Sequence, residues 1–183
     1  MSQTGLQRQI RAYLDHLAVE RGLAKNSLAA YQRDLTRYET YCQSRKITDA
    51  TQVTSDVVSD FLVAIRLGKD GQVALAASSA SRTVIAVRGL HAFLAREGIT
   101  PSDPARAVKP PTPGKRLPKA LPFDQVQALL HAVGVDSDGD LSVLMMRDRA
   151  LIELLYGTGA RISELIELTV DDITNLTDEL PIL

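Results

Sequence analysis

A single cysteine, no long apolar run and no internal repeat mark this 183-residue chain by omission. With Cys42 alone, neither a disulfide framework nor a cysteine-based zinc site can form within it. No stretch approaches the ~20 apolar residues that a membrane-spanning helix needs. Residues Met1 to Arg11 are polar, so no secretory signal is expected and a cytoplasmic location is. His16, His91 and His131 lack the i, i+4 pairing of a helical zinc motif and read as surface or partly buried helix residues. Asp136-Ser-Asp-Gly-Asp140 imitates a calcium loop, but Leu141 and Arg147 stand where such a loop needs glycine and a bidentate glutamate. It reads as an acidic turn. Ser163 has no nearby histidine and no strand–turn–helix setting for a nucleophile. Gly157-Thr-Gly159 lacks the Lys-Ser/Thr ending of a phosphate loop. No metal or cofactor is expected, and no strand pattern is evident.

What is present is a soluble globular composition, 45% hydrophobic and 23% charged, with an uneven distribution of charge. Residues 1–119 carry 18 Lys+Arg against 10 Asp+Glu, a net +8, while residues 120–183 carry 3 against 12, a net −9. A basic N-terminal region that meets a polyanion, joined to a part with another task, fits this asymmetry. Six of the eight prolines, at 101, 104, 110, 111, 113 and 118, fall in Thr100–Lys119 together with five cations. Such proline density blocks helix and favours an extended path. The expected organisation is a domain over 1–99, a basic linker over 100–119 and a second domain from 120 to 183.

Four helices are expected before the linker. Leu6, Ile10, Tyr13, Leu14 and Leu17 form the first apolar stripe. Asn26 or Ser27 can cap a second helix with Leu28, Tyr31, Leu35, Tyr38 and Cys42 inward and Arg33 and Arg37 on the opposite side. Thr54 can cap a third, with Val57, Val58, Phe61, Leu62 and Ile65 inward. The fourth spans about 79–97 and stops at Gly98, its core face being Val84, Val87, Leu90 and Leu94. Arg82, Gly89 and Arg96 recur at seven-residue spacing on another face, beside Ala86 and Ala92. An α-helix of that kind fits a major groove; a helix–helix contact through the small residues fits the pattern equally well.

After the linker, helices are expected over 123–133, over 147–156 as a central core element, and over 160–168. Two glycines between the last two bring Arg161 into the first turn of a new helix, one turn before Glu164. Arg161 and Glu164, at i and i+3, fit a plain surface ion pair; equally, the apolar neighbours Leu151–Leu155, Ile162, Leu165 and Ile166 imply a largely buried neighbourhood, where an arginine needs a partner or an anionic ligand. A helix start beneath a guanidinium favours a phosphate.

Leu154-Leu-Tyr-Gly-Thr-Gly-Ala-Arg-Ile-Ser-Glu-Leu165 resembles the first catalytic motif of the tyrosine recombinases (the phage integrase family) in their Xer form. Arg147-Asp-Arg-Ala150 and Arg116-Leu-Pro-Lys-Ala-Leu121 extend the likeness into the same catalytic domain. Lys25-Asn-Ser-Leu-Ala-Ala-Tyr-Gln-Arg-Asp-Leu35 and Ser79-Ala-Ser-Arg-Thr-Val-Ile-Ala-Val-Arg88 are similar to the family's core-binding domain. The likeness covers roughly residues 6–173 and lies nearer the XerD than the XerC subgroup. It implies an all-α chain: a SAM-like four-helix core-binding domain, then the first helices of a mainly α catalytic domain.

The resemblance also implies a reaction. A tyrosine attacks the scissile phosphate to give a 3′-phosphotyrosyl intermediate, and a hydroxyl of the partner duplex reverses the step without a high-energy cofactor. Arg161 corresponds to the first catalytic arginine and Glu164 to the acidic residue beside it. Arg33, Arg37, Arg82, Arg88, Arg96, Lys115, Arg116 and Lys119 become candidate contacts to double-stranded DNA. A partner recombinase of the XerC kind in a tetrameric synapse, a septal DNA translocase and a role in chromosome-dimer resolution are implied by family alone. After Asp171-Asp-Ile173 the likeness stops: the hairpin lysine, the His-x-x-Arg motif and the nucleophilic tyrosine do not occur in these residues. The 183 residues by themselves are therefore not expected to cleave DNA. A non-catalytic DNA-binding regulator and a helical scaffold without nucleic acid remain the rival readings.

Overall fold

The computed structural model describes residues 4–112, 120–133, 143–169 and 171–172. Among them there are helices and turns and no strand. The chain divides into two compact units, Met1–Arg116 and Leu117–Leu183.

The first unit is built on α1 (Gly5–Val19), α2 (Lys25–Ser44), α3 (Ser55–Leu67) and α4 (Ala77–Arg96). Their stripes converge as the spacing predicts: Leu6, Ile10, Tyr13, Leu35, Tyr38, Cys42, Val58, Phe61, Ile65, Val84, Val87, Leu90 and Leu94 are all buried. Thr54 caps α3, accepting from the Val57 N–H at 3.4 Å, and Gly68 and Gly98 sit in the left-handed region where α3 and α4 stop. Thr4 and Gln7 close a reciprocal capping box at α1.

Three details differ from expectation. α2 begins at Lys25 behind Ala24 and has no side-chain cap, so neither Asn26 nor Ser27 plays that part. α4 likewise begins behind a bare Ala76. A short 3₁₀ turn, Ala50–Gln52, has no periodicity to announce it and is organised by Asp49, which accepts from the Thr51 N–H at 2.9 Å. The described part of the proline-rich stretch is also no plain linker. Thr100, Ala105 and Val108 are buried, and the Ala105 N–H donates to the Asp103 carboxylate at 2.9 Å. Two apolar side chains suffice to fold residues 100–108 back onto the bundle.

In the second unit, α5 (Phe123–Ala132) packs on α6 (Val143–Thr158), and α6 on α7 (Ile162–Ile166). All three expected helices are present, but α6 begins four residues earlier than expected and α7 is two residues shorter at each end. The burial departs further: Leu165 is the one buried apolar residue among those described, and α6, expected at the centre of a core, has none. Leu151, Ile152, Leu154 and Leu155 reach only intermediate burial, because α5 and α7 cannot cover a helix that is apolar on most of its circumference. The acidic turn at 136–140 and residues 173–183 lie outside the described residues.

Candidate functional site

Arg161 is reached through a tight reversal. Gly157 stays inside α6, and only Gly159, at φ +66°, takes the left-handed conformation that ends the helix. Arg161 then serves as the residue that caps α7, not as a member of its first turn. Glu164 grips it twice: one carboxylate oxygen accepts from the Arg161 backbone N–H at 2.7 Å, the other from its guanidinium at 2.9 Å. Those two hydrogen bonds, backbone first, hold the Glu164 carboxyl below the usual carboxylate range.

The expected burial is not found, since the Arg161 side chain is 83% exposed. Ile162 and Ile166, read as walls of a buried site, are themselves exposed. The geometry keeps one end of the guanidinium fixed by Glu164 and leaves its other nitrogens open to solvent. An oriented, half-engaged guanidinium of this kind can accept an anion without first being ordered. Beside it lies a depression of about 350 Å³ lined by Thr158, Gly159, Ala160, Glu164, Leu165 and Leu168. Arg161 is not part of that lining, so an anion would meet it on the outer surface.

In the first unit the candidate arginines separate into three kinds. Arg37 is consumed by structure: its guanidinium forks onto Asp70, donates to the Val73 carbonyl at 3.0 Å, and is only 11% exposed. Burial alone would raise the Asp70 carboxyl, but the Arg37 hydrogen bond and charge, with backbone N–H groups, bring it below its ordinary value. Arg37 holds a loop and presents little of its side chain to solvent. Arg82 is shared. Its Nε and one terminal nitrogen donate to Asp34 at 2.9 and 3.2 Å, while the side chain stays 53% exposed. Asp34 is buried and also accepts from Thr83 at 3.0 Å, and its hydrogen bond and charge raise the Arg82 pKa.

The remaining arginines are open to various degrees. Arg96 is exposed; it donates to Glu97 and to His16 Nε2 at 3.3 Å, and lies over the Phe93 ring. The other His16 nitrogen contacts Glu20 at 2.9 Å. Arg33 is exposed and Arg88 half-buried, and neither has an ion pair among the described residues. Lys115, Arg116 and Lys119 lie outside the described residues.

The small residues of α4 settle in favour of helix packing. Ala86 is fully buried, and a Cβ on Gly89 would come within van der Waals overlap of the Tyr13 hydroxyl of α1. Ala92 alone of that set is exposed. Burial carries the Tyr13 hydroxyl up to about 12. Sequence reasoning missed Asp34, Thr83 and His16 as partners of the arginines. Asp34 had a signal: it stands three residues after Tyr31 and four before Tyr38, an acid on an apolar stripe.

Comparison with known proteins accounts for both units. Residues 10–98 match the phage integrase N-terminal SAM-like domain, and residues 119–182 match the phage integrase family. The chain is 52% identical over 175 residues to the tyrosine recombinase XerD of Mycobacterium leprae, covering 94% of this chain and 55% of the relative. It is 44% identical to XerD of Corynebacterium glutamicum, covering 94% of this chain and 56% of the relative. With XerC of Pseudomonas fluorescens it shares 37% identity, over 92% of this chain and 53% of the relative. The chain thus spans about half the length of the relatives it matches. Two consecutive domain matches, an all-helical fold and the Arg161–Glu164 motif converge on one assignment: the chain belongs to the tyrosine recombinase (phage integrase) family, in its Xer branch.

Proposed function

We propose that these residues are the DNA-binding half and the first catalytic helices of a XerD-like site-specific recombinase. That enzyme cuts and rejoins double-stranded DNA through a 3′-phosphotyrosyl intermediate, acts in the cytoplasm and serves chromosome-dimer resolution. The first unit grips the duplex through Arg33, Arg82, Arg88 and Arg96. Lys115, Arg116 and Lys119 add three cations to the sequence before the second domain. Arg161 stabilises charge on the scissile phosphate, and Glu164 orients it. The observation that carries the reading is the double grip of Glu164 on an exposed Arg161, which presets a guanidinium whose free nitrogens a phosphodiester oxygen can take.

The 183 residues alone bind without cutting. Of their tyrosines, Tyr13, Tyr38 and Tyr41 are buried, Tyr31 packs against the core, and Tyr156 lies near the end of α6, five residues before Arg161. We read none of them as the nucleophile, and one arginine cannot move the proton that the leaving oxygen needs. A XerC-like recombinase in a tetrameric synapse and a septal DNA translocase complete the assembly. Proteins of this reading need no cofactor, because the phosphotyrosyl bond conserves the energy of the broken phosphodiester.

The test is a chimera in which residues 1–170 replace the corresponding part of the Mycobacterium leprae relative. Arg161→Ala in that chimera should lower the yield of covalent protein–DNA adduct by about 10²–10³. Duplex affinity should stay within about twofold, since binding rests on the first unit. Equal losses in binding and adduct would remove Arg161 from the chemistry. For the unaltered 183 residues, duplex affinity that does not fall as salt rises would favour a helical scaffold instead.

A further inference from the structure

α4 carries a side chain that neither its own fold nor the arginine contacts explain. Val84, Ala86 and Val87 are fully buried, yet Ile85 between them is 49% exposed. At 100° per residue, Ser78, Ile85 and Ala92 form a single row, with Arg82 about 60° to one side and Arg88 about 60° to the other. Ile85 is therefore the one large apolar group on the outward side of this helix, flanked by guanidinium-bearing residues. From Ala77 to Arg96 the helix contains no acid. The row around Ile85 is otherwise serine and alanine, and a β-branched residue is a poorer helix former than alanine at a site that leaves half of it in solvent.

We infer that Ile85 is a specificity-determining residue that reads a thymine methyl in the major groove, an inference that rests on the first unit being the duplex-binding one. A duplex matches both halves of the pattern. Phosphates complement the arginines, and the C5-methyl of thymine is the one apolar feature that a base edge offers in that groove. With small residues fore and aft, Ile85 projects furthest between Arg82 and Arg88 and meets the base edges where they would straddle a groove. An acidic protein surface would complement the arginines but gives no reason for a single bare isoleucine among them. Burying one methyl against another strengthens binding by about fourfold.

The experiment uses the full chain and a duplex recovered by selection from a randomised pool, with each thymine replaced singly by deoxyuridine, which lacks only the methyl. One or two positions should weaken binding about fourfold. Ile85→Ala should weaken the parent duplex by the same factor and become indifferent to deoxyuridine at those same positions, while Ile85→Val retains the sensitivity. Since Ile85 is half exposed and lies outside the core cluster, Ile85→Ala should lower thermal stability far less than a core truncation such as Phe61→Ala. If no thymine senses its methyl, or Ile85→Ala keeps the full deoxyuridine penalty, the inference fails and the duplex-binding reading stands. If the chain selects no duplex and shows no salt-dependent binding, both fall, and capture of an acidic protein through this face would then replace them.

Discussion

The two units differ less in sequence than in closure. In the first, helices from distant parts of the chain bury whole side chains, and even its polar groups are internal: Asp34, Thr83 and His91 are all buried. In the second, helices of comparable apolarity bury Leu165 and leave Val143, Leu144, Tyr156, Ile162 and Ile166 exposed. The lesson is that an apolar helix is a demand for partners, and burial depends on how many faces its neighbours cover. On the closed unit Arg82 is anchored to the buried Asp34, whereas Arg161 on the open one is held by the exposed Glu164 three residues along its own chain.

The widest contrast should come from truncating one apolar side chain in each unit. Phe61, buried and packed edge-on against Tyr38 at 4.9 Å between ring centroids, should cost about 3–5 kcal/mol when replaced by alanine. Leu155→Ala, at intermediate burial, should cost roughly 1 kcal/mol or less. Urea unfolding of each variant measures both; similar losses would erase the distinction.

A second contrast is set by acid. Burial drives the His91 imidazole down to about 4 from 6.5, while its Nε2 hydrogen-bonds Tyr38 at 2.9 Å and its Nδ1 has no hydrogen-bond partner among the described residues. The unfolded chain thus takes up a proton that the folded one refuses. Stability is intact above pH 6.5 and falls as pH drops toward 4, by roughly 3 kcal/mol. His91→Gln should flatten that window in a pH series of melting temperatures, and the second unit's spectroscopic signals should not share it.

The smallest effect sharpens the division among arginines. Arg88→Ala should reduce the slope of log affinity against log salt by about 1, the loss of one phosphate contact. Arg37→Ala should leave the slope unchanged while lowering stability, because its guanidinium serves Asp70 and Val73. A slope change at Arg37 would return it to the DNA surface.

Much of this architecture is legible in the chain. The stripes of α1, α3 and α4, the Thr54 cap and the glycine stops are local patterns, and local patterns survive folding. The fates of Arg37 and Arg82 are not local: their acids lie 33 and 48 residues away, and no spacing rule connects them. Arg161 failed for a different reason. Its apolar flanks correctly described α6 and α7 but said nothing of how many neighbours would arrive to cover them. The helix starts behind Ala24 and Ala76 were invisible because alanine gives no capping signal.

The tether that removes Arg37 from the nucleic-acid surface has a consequence of its own. Arg37 seizes Asp70 and the Val73 carbonyl, and Arg66 donates to the Leu75 carbonyl, so the crossover between α3 and α4 is stitched to its own bundle at both ends. A crossover that opens as a hinge invites identical molecules to trade elements when they crowd together. Here the stitches must break before α4 can leave home. Copies crowded side by side would each keep their own α4, and such a cluster could come apart without tangling.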